Sequence, residues 1–299
     1  MKHVVSVSLG SSKRDFCETL TLLGQEVRLE RRGTDGDLER AVALIRGLDG
    51  QVDAFGLGGI NLSVQVGSRR YSLRDAARIA GQAERTPVLD GGGLKMTLEK
   101  RVVERLAAQR SLDDARVFMT SALDRYGMAV ALAETGAAVR YGDLVTLLGV
   151  PLPLRSLATL SGLARVVLPI ARHAPFRWLY PLGDAQERED GGPLTRFYAW
   201  ADLIAGDWHL VRRHLPGRLD GKTILTNTVT PANVELLRGR GADLLVTTTP
   251  QLNGRSLPTN ALEAAFVAVT GGRPLTPAEL EPHVAASGLE GTFTNLSAR

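Results

Sequence analysis

Cysteine is nearly absent: Cys17 stands alone, which excludes an intrachain disulfide framework and a cysteine-rich zinc site. Lysine is almost as scarce, occurring only at positions 2, 13, 95, 100 and 222, so arginine carries most of the positive charge. Net charge is only +4 and no run of five or six basic residues occurs, so no nucleic-acid partner is expected despite a pI near 9.4. No stretch of 18 residues is free of charge and proline, which predicts no membrane span. The apolar start, Val4–Leu9, is too short for a signal-peptide core, and a cytoplasmic location is the expectation. No two histidines have metal-ligand spacing and there is no nucleophile elbow, so neither a metal nor serine-hydrolase chemistry is expected.

What is present is alternation. Short apolar runs at Val4–Leu9, Val27–Arg31, Val52–Phe55 and Pro87–Leu89 read as strands, separated by helical patterns through Phe16, Leu20 and Leu23, through Leu38–Leu48 and over Leu73–Ala83. Leu98, Val102 and Leu106 mark a further helix, and near Ser111–Asp114 the pattern restarts. Strands at Arg116–Thr120, Ala138–Tyr141, Asp202–Ala205, Thr223–Thr226 and Leu244–Thr247 follow, with helix starts at Thr230-Pro231 and Thr276-Pro277 and a frayed tail. The expected fold class is α/β with two domains. Residues 1–112 form a small N-terminal α/β domain. Residues 113–272 form a Rossmann-like, doubly wound parallel-sheet domain carrying an apolar, proline-rich insertion over 143–198. Residues 273–299 supply a C-terminal helix and tail. The core of that insertion, Leu144–Leu182, punctuated by Pro151, Pro153, Pro169, Pro175 and Pro181, either packs on the sheet or forms a lid or apolar channel.

Ligands of open α/β sheets sit at the carboxyl ends of strands. Here those ends are small and polar: Asp207 and His209 after one strand, Thr226, Asn227 and Thr228 after the next, Thr247 and Thr248 after a third. "VFMTSALDRYGMA" reads as strand, turn and helix, with Ser121 at the strand end and Gly127 matching the last glycine of G-x-G-x-x-G. Asp124 takes the middle glycine's place, where it would repel a pyrophosphate unless turned away, and Arg125 offers a direct phosphate contact instead. Asp143, about 20 residues on, stands where an acid holds a ribose hydroxyl, favouring NAD slightly over NADP. In "VLDGGGLKMTLEK" a strand ends at Asp90 and Lys95 opens a helix, a pair suited to general acid/base work. Ser11 and Ser12, at the first strand-to-helix turn, suit a carboxylate or phosphate, or simply cap the helix. Asn61 is a further candidate substrate contact, and Cys17 reads as buried and inert.

The layout resembles the shikimate/quinate dehydrogenase family, and the strings "SALDRYGMA", "YGDL", "AGDWH", "TNTVT" and "TTTPQLNGRS" resemble a bacterial group of predicted quinate 5-dehydrogenases. The resemblance implies serines after the first strand holding a substrate carboxylate, a catalytic lysine matched loosely by Lys95, and a late helix, "ALEAAFVAVTG", whose usual glutamine falls on Ala261, so that substrate contact is missing or shifts to Asn260. It implies an NAD(P)-dependent dehydrogenase of a quinate- or shikimate-like hydroxy acid; a small-molecule substrate is the expected partner, and a homodimer is a candidate assembly. Two alternatives stand beside it: a non-catalytic nucleotide- or metabolite-binding protein, and an acyl or lipid carbonyl reductase.

Overall fold

The β-branched run around Val4, Val5 and Val7, fully buried, forms β1 (Lys2–Ser8) in the computed structural model, which describes residues 1–174 and 194–297. The chain then makes a hairpin, β2 (Phe16–Leu22) and β3 (Gln25–Gly33), where a helix through Phe16, Leu20 and Leu23 was the expectation. The observed period is two: Cys17, Thr19 and Thr21 are exposed while Phe16, Glu18, Leu20 and Leu22 turn inward. Leu23 and Gly24 both have positive φ, 49° and 77°, as a two-residue hairpin turn of the primed kind demands. Cys17 is therefore exposed on an edge strand, its sulfur accepting from Arg28 Nε at 3.4 Å, and not buried.

α1 (Leu38–Leu48) starts at Asp37, whose side chain accepts from the Arg40 amide. β4 (Ala54–Gly58) follows, then a hairpin of β5 (Ser63–Val66) and β6 (Arg69–Ser72) that periodicity did not reveal. α2 (Arg74–Ala80), β7 (Val88–Leu89) and α3 (Gly92–Met96) complete the front of the chain. Next come α4 (Leu98–Gln109), β8 (Arg116–Met119), α5 (Tyr126–Glu134), β9 (Ala138–Tyr141), α6 (Asp143–Leu148) and α7 (Leu157–Ala171). The middle of the expected insertion, with Pro175 and Pro181, lies outside the described residues. Beyond it lie α8 (Thr195–Trp200), β10 (Leu203–Ala205), α9 (Trp208–Arg213), β11 (Thr223–Thr226), α10 (Pro231–Gly239) and β12 (Leu244–Thr247). A short hairpin, β13 (Gln251–Leu252) and β14 (Arg255–Ser256), precedes α11 (Thr259–Val269), α12 (Pro277–Ser287) and β15 (Thr292–Asn295). Residues 292–295, expected to fray, are instead a strand, since β15 pairs antiparallel with β12.

The protein is a two-domain α/β molecule with mixed, mainly parallel sheets. One unit takes Met1–Thr97, Val166–Gln186 as far as it is described, and Pro258–Gly288. The other takes Leu98–Arg165, the described part of Glu187–Leu257, and the tail from Leu289. The first sheet runs β2-β3-β1-β4-β7, parallel except for β2; the second runs β15-β12-β11-β10-β8-β9, parallel except for β15. In each, the first parallel strand lies between strands that follow it in sequence. The order therefore reverses beside β1 and beside β8, and crevices for ligands open at such points.

The second unit's core gathers Phe118, Phe197, Tyr198, Trp208, Ile204, Ile224 and Leu245, with Phe118 stacked on Phe197 at 5.5 Å. In the first unit α11 is buried from Thr259 to Ala268 and lies on β4 and β1. It approaches closely because β4 is glycine at alternate positions. A Cβ on Gly56 would stand 2.9 Å from Asn260 Nδ2 and one on Gly58 3.2 Å from it.

Candidate functional site

Two polar clusters lie at the carboxyl ends of the strands, one in each unit. In the first, β1 runs into Ser11, whose hydroxyl accepts from the Lys13 amide and so caps the short 3-10 turn at residues 12–14. The Ser12 amide donates to Asp35 Oδ1 at 2.7 Å. Behind them the buried Arg31 donates to Ser11 O (3.0 Å), Asp15 Oδ1 (2.6 Å) and Ser8 Oγ (2.9 Å), an anchor that sequence reasoning missed.

Beyond β4, the buried Asn61 accepts from Lys95 Nζ at 2.8 Å. Asp90, at the end of β7, spends its carboxylate on backbone: Oδ2 accepts from Leu62 N (2.6 Å) and Ser63 N (3.3 Å), and Oδ1 from Gly92 N (2.9 Å). Among the described residues Asp90 and Lys95 make no ion pair, so the expected acid/base couple is not assembled. Asp90 is a loop tie, its carboxylate held by three backbone amides.

Asn260 also differs from expectation. Its side chain turns into the sheet, donating to Ser6 Oγ at 2.8 Å, instead of facing a substrate. One turn later on α11, Glu263 accepts from Gly93 N (2.8 Å) and Leu94 N (3.3 Å) at the start of α3. Burial, and secondarily the nearby Asp90, push its carboxyl up to about 7. Ser11, Asn61, Asp90, Lys95, Asn260 and Glu263 thus share one unit, and Asn61 and Lys95 bond each other through their side chains.

In the second unit, β8 delivers Ser121 to the turn before α5. Asp143, the first residue of α6, reaches back into that turn: Oδ2 accepts from Ala122 N (3.0 Å), and Oδ1 from Leu123 N (2.9 Å) and Ser121 Oγ (3.2 Å). Asp143 is 2% exposed. Burial raises its carboxyl above the ordinary aspartate range, and those same amides oppose the rise. The acid expected to hold a ribose hydroxyl instead fills the turn. Gly127 is buried one position inside α5, clear of this contact.

Arg125, the N-cap of α5, is equally engaged. Its guanidinium is an ion-pair partner of Glu99, of Asp207 (3.1 Å) and of Asp124 (3.6 Å), and its side chain is 2% exposed. Burial alone would weaken its basicity, but Glu99, Asp124 and Asp207 together raise it above the ordinary arginine value. Thr248 Oγ1 donates to Glu99 at 3.5 Å. Asp207 caps α9 through His209 N and accepts from Asn227 Nδ2 at 2.9 Å, while Asn227 Oδ1 accepts from Trp208 N. Thr226 and Thr247 point their hydroxyls at Gly206 O and Thr249 O, and Thr228 is half-buried beside them. Gly206 holds φ +140° with the position of a Cβ 2.1 Å from Thr120 Oγ1, so only glycine fits where β10 turns toward Asp207. The strand tips do converge, but as a closed network: Glu99, the residue that organises it, carried no sequence signal as a helix-start glutamate.

These residues do not fit a dinucleotide. The amides that would hold a diphosphate already carry a carboxylate, and the arginine that would replace glycine is enclosed by three acids. Among the described residues no group of three or more His, Cys, Asp or Glu is placed to hold a metal ion, and no helix is long and apolar enough to cross a membrane.

No curated protein matches the chain. Among solved structures it is similar to a galactofuranose binding protein, at 11% identity and a TM-score of 0.40, covering 99% of this chain and 95% of that one. It is similar to GanP, a glucose-galactose binding protein from Geobacillus stearothermophilus, at 10% identity and a TM-score of 0.41, covering 99% and 98%. A third is the periplasmic binding protein component of the arabinose ABC transporter from Shewanella sp. ANA-3, at 10% identity and a TM-score of 0.36, covering 90% and 86%. These are solute-binding proteins and not dehydrogenases. The resemblance to the shikimate/quinate dehydrogenases, the oxidoreductase reading, the carbonyl-reductase alternative and the cytoplasmic expectation are not carried forward. The physical ground against the dehydrogenase reading is the unassembled Asp90–Lys95 couple, and against both it and the carbonyl reductase it is the Asp143 carboxylate seated in the turn that would hold a diphosphate. A family model described as domain of unknown function (DUF8753) matches residues 3–90. The chain belongs to the family described as domain of unknown function (DUF8754), whose model matches residues 93–296.

Proposed function

We propose that this chain is a non-catalytic binding protein for a small, polar, hydroxyl-rich molecule, recognised at the carboxyl ends of the first sheet beside Asn61 and Lys95. The observation that carries this reading is the division of labour at that tip. Asp90 is consumed by three amides, while Lys95 and Asn61 stand together at 2.8 Å with an ammonium and a planar amide. An ammonium and an amide give charge-assisted and directional hydrogen bonds to hydroxyls, the few placed polar groups that orient a small ligand. The position supports it too, since β1 and β4 flank the reversal of strand order.

The test is calorimetric titration of the full chain with neutral monosaccharides and polyols, beside NAD(H) and NADP(H). Sugars, the ligands named for the similar structures, are the first probes. A neutral polyhydroxy compound is expected to bind, and Asn61→Ala and Lys95→Met are each expected to weaken it at least tenfold, about 1.4 kcal/mol. Hydride transfer from NAD(P)H, or affinity untouched by both substitutions, overturns the reading.

A further inference from the structure

Both units carry the same device at their tips, built from unrelated parts of the chain. In the second unit the Asp143 carboxylate sits on the amides of Ala122 and Leu123 and on Ser121 Oγ; in the first, Glu263 sits on the amides of Gly93 and Leu94. Asp143 is 2% exposed and Glu263 5%. A strand-to-helix turn in an open α/β sheet presents such amides outward, and they are where a phosphate or carboxylate ordinarily docks. Here an acid of the chain itself occupies each one.

We infer that the resident Asp143 carboxyl sets ligand specificity at the second unit's tip, closing it to phosphorylated and carboxylate-bearing molecules and leaving neutral, hydroxyl-bearing ones as the class admitted there. Two effects combine. The donors are already satisfied, and an incoming anion must displace a carboxylate tethered within bonding distance, which competes at high effective concentration. The seated carboxylate is also shielded from water, so its repulsion of a second anion is weakly screened. The cation that could offset it in the second unit, Arg125, is bracketed by Glu99, Asp124 and Asp207. The inference about ligand class rests on the binding-protein reading above; the exclusion of anions does not.

Inorganic phosphate is the probe, titrated into the full chain by calorimetry, so that no cognate ligand need be known. Wild-type binding is expected to be absent or at least tenfold weaker than that of Asp143→Ala, and Asp243→Ala, a distant acid, is expected to behave as wild type. Should Asp143→Ala fail to fold, the ¹⁵N–¹H resonances of Ala122 and Leu123 in the wild type are followed during the same titration, and they are expected to stay unshifted. Phosphate binding to the wild type as tight as to the variant, or a saturable shift of those two amides, overturns the inference. Phosphate gain in Asp143→Ala with no neutral solute bound by the wild type would instead sink only the binding-protein reading.

Discussion

A single buried carboxyl can set how the first unit responds to pH. Glu263 is raised from the usual glutamate value to about 7, first by burial and then by Asp90, while the amides of Gly93 and Leu94 and the charge of Lys95 resist. A carboxyl raised in the folded state binds more protons there than in the unfolded chain between its two pKa values. Stability from this group is therefore complete below the unfolded value near 4.5 and is lost as pH rises towards 7. Urea unfolding across that window should show wild-type stability falling by up to about 3 kcal/mol more than Glu263→Gln, which has no proton to lose. The opposite slope, or none, would mean that the carboxylate is better solvated than its burial suggests. Asp143 illustrates what sequence conveys about a single residue. Its place, some 20 residues past the turn and near a strand end, was readable; its direction was not, because one carboxylate can serve a ribose or the chain's own amides equally well. Glu263 and Arg31 left no trace at all, since their partners lie 170 and 20 residues away and long-range pairing has no local pattern.

At the scale of elements, glycine placement separates structural need from indifference. Gly56 is needed because α11 rests against it, with Asn260 backbone atoms 3.0 Å from where a Cβ would stand. Gly162 lies in α7 with nothing within 4 Å of that position. Gly56→Ala should cost about 1–3 kcal/mol through overpacking, whereas Gly162→Ala should stabilise by about 0.5–1 kcal/mol through helix propensity. Thermal unfolding of the two variants checks both signs. Parallel strands were legible because their buried runs are apolar or nearly so, as at Leu203–Ala205 and at Val4–Val7, where only Ser6 is polar. The β2–β3 hairpin was not, because Phe16, Leu20 and Leu23 fall by chance on a helical spacing; the usable signal was Leu23-Gly24 between two alternating runs. α7 shows a further ambiguity. Leu160, Ala164 and Leu168 bury one face while Leu163, Val166, Val167 and Ile170 leave another apolar and exposed, so hydrophobicity alone did not say which side packs.

For the whole molecule, chain order and spatial order part company. The first unit's sheet is complete by Leu89, yet the helix that covers it, α11, begins at Thr259. A fragment ending at Thr97 would leave the apolar surface of β1 and β4 open, and should bind hydrophobic dyes and unfold without a cooperative transition. Adding residues 258–288 through a linker should restore a cooperative melt; a fragment that melts sharply unaided would refute this dependence.

Translation inherits the same delay. The ribosome delivers the first sheet and then some 160 residues before its cover, roughly 10–30 s at ordinary elongation rates. Throughout that interval the nascent chain carries an unshielded greasy plane, so its safe passage depends on chaperone capture or on synthesis fast enough to outrun aggregation.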